Sequence, residues 1–119
     1  YDRFNAFMIE SFDREIGSIK IASIGKEAIC KTFIIDFGET RYYIKGAATE
    51  EGRKSGAMTH LLDQLITEAH GKGLKKFDFV GSNNENLMSF NKKFGAINRT
   101  YDILKCNNLL WPLSKLIKP

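Results

Sequence analysis

Between residues 1 and 16 the apolar side chains Phe4, Met8, Phe12 and Ile16 recur at every fourth position, with Phe7 beside them. That spacing lays one apolar stripe along a helix, and Gly17 is its expected stop. The period then shortens to two. Residues 18–24 put Ile19 and Ile21 on one face. Residues 27–37 put Ile29, Phe33, Ile35 and Phe37 on one face and Ala28, Cys30 and Ile34 on the other. Residues 41–48 set Tyr42, Ile44 and Gly46 against Tyr43 and Lys45. The joints Gly25-Lys26 and Gly38-Glu39 are short and contain glycine, which predicts antiparallel hairpins. Strands with apolar side chains on both faces predict a sheet covered, at least in part, on both sides.

Beyond residue 48 the longer period returns. Residues 49–56 are polar and expected to be flexible. Residues 57–70 carry Met58, Leu61, Leu62, Leu65, Ile66 and Ala69 at helical spacing, with Asp63, Gln64, Thr67 and Glu68 opposite, and Gly71 and Gly73 follow as stops. Residues 76–80 read as a strand with Phe77 and Phe79 on one face. Residues 84–94 read as a helix with Leu87, Phe90 and Phe94 inward, capped by Asn83 or Asn84 and ended by Gly95. Residues 97–106 predict a long strand. In residues 109–119, Leu109, Leu110, Trp111, Leu113, Leu116 and Ile117 predict a last helix or an extended arm. That arm would cover the chain's own sheet, or meet a second copy or a partner domain; a membrane surface comes third.

The order is therefore α-β-β-β-α-β-α-β plus a helix or arm. It describes an α/β fold with a mixed sheet and helices on both faces. A full helix separates the strand ending at Ala48 from the one beginning at Lys76. Such a crossover returns the chain to the same end, so these strands should run parallel with a right-handed connection.

Composition narrows the picture. A chain of 119 residues, 43% hydrophobic and 27% charged, fits one soluble domain spanning 1–119. It starts at Tyr1 in a helical pattern, so the domain is expected to stand alone or to form the C-terminal half of a longer protein. The net charge of +4 is too small and too spread to argue for nucleic acid. Its knots at Arg53-Lys54, Lys75-Lys76 and Lys92-Lys93 suit an anionic small molecule or solvated helix ends. Cys30 and Cys106 lie far apart and predict free thiols, without metal spacing. No signal peptide and no membrane-length apolar run is visible, so a cytoplasmic setting is expected.

Two stretches carry a family resemblance. Glu51-Gly52-Arg53-Lys54-Ser55-Gly56-Ala57 stands where GNAT acyltransferases carry an R/Q-x-x-G-x-G/A loop, with Arg53-x-x-Gly56 matching its first half and Met58 at the position of its last small residue. Asp78-Phe79-x-Gly81-Ser82, then Phe90-x-Lys92-Lys93-Phe94-Gly95-Ala96 and Tyr101, is similar to the C-terminal GNAT-like domain of FemABX-type aminoacyl and acyl transferases and their acetyltransferase relatives. The likeness spans residues 41–101 and is densest from Asp78 to Ala96. It implies a GNAT fold and transfer of an acyl group to an amine. The donor would be acetyl-CoA or another acyl-CoA, or an aminoacyl-tRNA.

The resemblance also assigns roles. Arg53, Lys54, Ser55, Gly56 and Ala57 would hold the pyrophosphate of coenzyme A. A glycine loop before a helix converges backbone N–H groups on an anion at the positive end of the helix dipole. The solvated alternative makes Ser55 a helix cap and Arg53 a surface charge. Asn84 falls at a cofactor-binding position. Asn91 stands where the family has a Tyr that protonates the leaving thiolate, or a Lys. A carboxamide does not titrate near neutrality. Lys92 lies one residue on, about 100° around the helix. Asp78 is the foremost candidate acid or base, with pairing to Lys76, Arg99 or a helix amide as its structural alternative. Glu50, Glu51 and Glu85 lie near the loops expected to rim the cleft; on the central helix His60 is expected to be solvated and His70 sits at the C-terminal end, where a cation is favoured. Two functions follow: an N-acyltransferase or its catalytic half, and a GNAT-like module without chemistry that dimerises or completes a partner's cleft.

Overall fold

The computed structural model describes residues 2–81 and 84–99. Helix α1 (Asp2–Asp13) is followed by strands β1 (Gly17–Ile24), β2 (Glu27–Phe37) and β3 (Thr40–Ala48). A short helix α2 (Glu50–Lys54), the long helix α3 (Ala57–Gly71), strand β4 (Lys76–Asp78) and helix α4 (Glu85–Lys92) complete the order. The sheet runs β1-β2-β3-β4, antiparallel across the first two joints and parallel between β3 and β4, as the crossover predicted.

Each face of the sheet buries a different helix. On one face the stripe of α1 closes on a single ring. Phe4, Phe7 and Phe12 meet Phe33 edge-on, with centroids 6.0, 6.2 and 5.8 Å away. Such pairs contribute about 0.5–1.5 kcal/mol each beyond the area they bury. On the other face Leu61, Leu62 and Leu65 of α3 pack on Cys30 and Ile34, and Phe77, Phe79, Phe90 and Phe94 gather against the same cluster.

That second face is also tied by charge. Arg41 is 0% exposed. Its guanidinium donates two hydrogen bonds to the Asp36 carboxylate at 2.7 and 2.8 Å, one to the Leu65 carbonyl at 3.0 Å and one to Glu68 at 3.1 Å. One side chain thus joins the β2–β3 hairpin to α3. The Arg41 hydrogen bonds hold the Asp36 carboxyl below its usual range, against the opposing effect of burial. Burial pushes Glu68 up, but Arg41, Lys20 and Lys72 outweigh it and keep that carboxyl low. Lys20 lies 3.6 Å from Glu68, and Lys72 lies 3.5 Å from Glu68 and 4.0 Å from Asp36.

Four local features differ from the sequence expectation. First, Gly17 does not end α1. The helix stops at Asp13, and Glu15 takes the left-handed conformation at φ 59° that usually calls for glycine. The Ile16 N–H then returns to the Ser11 carbonyl and the Glu15 N–H to Phe12. Gly17 sits inside β1 because a Cβ there would collide with Ser11 and crowd Phe33 at 3.2 Å.

Second, residues 49–56 are not an open loop. The Thr49 hydroxyl accepts from the Gly52 N–H at 3.1 Å and starts α2. Gly52 is buried because a Cβ would strike the Ile29 carbonyl.

Third, simple alternation fails twice. The register between β1 and β2 steps from Ala22–Cys30 to Ser23–Ala28, leaving Ile29 extra, so adjacent Ile29 and Cys30 are both buried. Between β2 and β3 it steps from Phe33–Lys45 to Ile34–Tyr43, leaving Ile44 extra. One extra residue exchanges the faces of everything beyond it. Tyr43 and Gly46 therefore share the α3 face, while Lys45 lies over the Phe4 ring on the α1 face, 5.2 Å from its centroid.

Fourth, β4 ends at Asp78 rather than Val80. Residues 97–99 carry no strand. The rest of the predicted strand to Cys106, and the arm at 109–119, lie outside the described residues.

Candidate active site

The parallel pair of β3 and β4 lasts for Thr40–Lys76, Arg41–Phe77 and Tyr42–Asp78 only. Beyond Tyr42, β3 continues to Ala48 while β4 has ended, and the Ile44 bulge sits at this parting point. Backbone groups along that edge of β3 have no β4 strand to pair with, which leaves N–H donors available to a bound carbonyl.

The corner that ends β4 is built by Asp78. Its carboxylate accepts from the Val80 N–H at 2.7 Å. Val80 stands at φ 67°, a conformation costly for a β-branched residue, and Gly81 follows at φ 80°. The Asp-Phe-x-Gly stretch is therefore a sharp exit from the sheet. Among the described residues Asp78 pairs with neither Lys76 nor Arg99 but with its own chain two residues on.

On the α3 face the parting is lined by rings. Tyr43 meets Phe79 with centroids 6.1 Å apart, Phe79 meets Phe77 and Phe94 at 5.0 and 6.0 Å, and Phe94 meets Phe90 at 5.4 Å. Burial, with a smaller effect from Cys30, keeps the Tyr43 phenol above its usual pKa. The Tyr43 hydroxyl lies 4.0 Å from the Met58 sulfur. Met58, at the position of a small residue in the glycine loop, thus turns inward and does not obstruct the loop.

The loop itself offers a partial cradle. Gly56 is left-handed at φ 72° with open space around its α-carbon, and it precedes α3 with no side-chain cap. The first N–H groups of α3 have no acceptor within their own helix. Arg53, Lys54, Ser55 and Gly56 are exposed and Ala57 is half-buried. Two groups are already engaged: the Ser55 N–H donates to the Glu51 carbonyl at 2.9 Å, and Lys54 pairs with Glu50 at 3.1 Å. An open cavity of about 450 Å³ borders Glu50, Glu51, Lys54 and Ser55. These residues fit an anion at Gly56 and Ala57, with Arg53 as the nearest cation in sequence beyond the Glu50-paired Lys54. The Ser55 amide is taken.

Asn84 acts first as the cap of α4, accepting from the N–H groups of Asn86 and Leu87 at 2.9 and 3.4 Å. Asn91 is half-buried on α4, and Lys92 is exposed. Among the described residues no hydrogen bond or ion pair joins Asp78, Asn91 and Lys92. His60 and His70 are exposed, and His60 approaches Gln64 at 3.1 Å. Sequence reasoning missed Arg41 and Tyr43. The extra residue in β3 hides the face of Tyr43, and a charge in a strand reads as solvated until its partners are known.

The sequence model of the acetyltransferase (GNAT) domain matches residues 1–86. The chain belongs to the GNAT acetyltransferase domain family. Known structures agree on the fold of this GNAT domain. A possible acetyltransferase from Clostridium difficile 630 superposes with TM-score 0.67 at 9% identity, over 83% of this chain and 70% of that one. A predicted acetyltransferase with acetyl-CoA from Clostridium acetobutylicum gives TM-score 0.63 at 20% identity, over 89% and 73%. A ribosomal-protein-alanine N-acetyltransferase from Brucella melitensis biovar Abortus 2308 gives 0.64 at 10%, over 82% and 75%. A search of curated proteins gives no significant match. Among the described residues no helix is long and apolar enough to cross a membrane.

Proposed function

We propose that this GNAT domain is an N-acyltransferase that passes an acyl group from acyl-CoA to an amine. The observation that carries this reading is the parting of β3 and β4 after Tyr42 and Asp78, with a bulge in β3 at the same place. A thioester lying there would meet β3 backbone N–H groups at its carbonyl oxygen. Its pyrophosphate would reach the Gly56–Ala57 turn and Arg53. Catalysis would come from positioning both substrates and from stabilising the tetrahedral oxyanion, since Asn91 cannot supply a proton. Asn91 keeps the role of a hydrogen-bond donor, and Asp78 shapes the corner rather than acting as base. A solved neighbour bound to acetyl-CoA supports the donor class. The sharp Asp78–Gly81 exit supports kinship with FemABX-type transferases, for which an aminoacyl-tRNA donor is the alternative.

The test is calorimetry and thermal shift with acetyl-CoA and coenzyme A. Micromolar to sub-millimolar binding and a raised melting temperature are expected. Absence of both at millimolar ligand removes the acyl-CoA reading. The aromatic fill of Tyr43, Phe79 and Phe94 favours a second reading, a module that binds without turnover and serves a partner domain or second copy. Binding without thiol release in the presence of amines would select it.

A further inference from the structure

The α1 face holds a second concavity. A groove of about 250 Å³ runs between α1 and the sheet, bordered by Phe4, Met8, Ile19, Phe33, Lys31 and Lys45, with the backbone of Gly46 and Ala47 along one side. It is smaller than the roughly 300–1,000 Å³ of sites for drug-sized ligands, so it suits a small molecule. Its β3 wall lies just beyond the Ile44 bulge, next to the edge where β3 loses its β4 partner. Its walls are largely apolar, and among the described residues its charges are of one sign: two ammonium groups and no carboxylate.

The positions of those ammonium groups follow from the register. Phe33 pairs with Lys45 and Lys31 with Ala47, so Lys31 and Lys45 are diagonal neighbours on one face. Diagonal positions lie about 7–8 Å apart, a span that two flexible lysines close around one carboxylate. The Phe4 ring steadies Lys45. None of the ion pairs among the described residues involves Lys31, whereas Lys20 and Lys72 on the other face are paired with Glu68.

We infer that this groove takes a small apolar molecule bearing a carboxylate. On the acyltransferase reading above, that molecule is the acceptor: an amine of the apolar amino-acid class. Its carboxylate lies between Lys31 and Lys45, its side chain on Phe4, Phe33 and Ile19, and its amine toward the open edge of β3. The rim charges draw the carboxylate in and disfavour amines that carry no carboxylate, while the rings supply the contact area.

The experiment uses the acylated products, which have no amine to titrate. N-acetyl-leucine and N-acetyl-phenylalanine are compared with their carboxamides by amide-resolved NMR titration, in wild type and in Lys31→Gln, Lys45→Gln and the double variant. The acids are expected to bind at least about tenfold more tightly than the carboxamides and to shift the signals of Ile19, Phe33 and Ala47. The preference should fall several-fold in each single variant and to within about twofold in the double. Equal binding of acids and carboxamides, no binding of either, or a preference unchanged in the double variant overturns the proposal. Melting curves separate a lost charge from a lost fold. If the acids bind here but acetyl-CoA does not, the carboxylate site stands and the transferase reading falls.

Discussion

The two faces of the sheet are held by different physics. On the α3 face a fully buried guanidinium joins two strands and a helix, and the aliphatic cluster beside it is closed: Ile34 is 0% exposed and Leu62 1%. On the α1 face one buried ring, Phe33, gathers three aromatic neighbours, while Ile19 and Ile21 of β1 stay open, Ile21 at 56%. The first face specifies the fold. The second tolerates a groove. The two faces meet where β3 loses its β4 partner, so a rigid side and an adaptable side both border the candidate site.

The largest way to break this contrast is Arg41→Ala. It opens a cavity and leaves Asp36 and Glu68 to the ammonium groups of Lys20 and Lys72 alone, and a loss of about 3 kcal/mol is expected in urea unfolding. A loss under 1 kcal/mol would mean that α3 is held by its leucines alone. Asp36→Asn comes next, with about 1.5–3 kcal/mol near neutral pH. Its folded pKa is depressed, so the stabilisation is present above the ordinary carboxylate range and is lost as pH falls through the lowered value. The gap between wild type and variant should begin to narrow below about pH 4 and close once the pH lies under the lowered value; a gap that does not narrow would assign the effect to shape rather than charge.

Val80→Gly should go the other way. Relieving a β-branched residue at φ 67° is expected to stabilise the domain by about 1 kcal/mol in the same unfolding assay. Destabilisation would show that the Val80 side chain matters more than its backbone. Ile21→Ser on the open face should change stability by no more than about 0.5 kcal/mol. A loss of several times that would show that something covers β1.

Much of the fold was legible in the sequence because the periods are long and the hairpin joints carry glycine. The β3–β4 parallel pair followed from one crossover rule, and residue type narrowed the α4 cap to Asn83 or Asn84, of which Asn84 holds the place. The errors have a common cause. Gly17 and Gly52 are glycines for close approach rather than for a turn, and closeness is a tertiary fact. Each bulge adds one residue, which leaves no mark in composition and reassigns Tyr43, Lys45 and Gly46 between faces. The candidate site was legible as motif only. Asp78, read from the sequence as a candidate acid or base, has a local geometric role as well: its carboxylate accepts from the Val80 N–H. Lys45 looked like a partner of Tyr43 and lies on the opposite face.

The proposed transfer requires acyl-CoA to enter where β3 and β4 part. Amide-resolved NMR of the domain titrated with coenzyme A tests that directly. The prediction is a set of shifts confined to residues 43–48 and 53–58, with Ile19 and Ile21 of the open face unmoved. No shifts at millimolar coenzyme A, or shifts centred on β1, would contradict it.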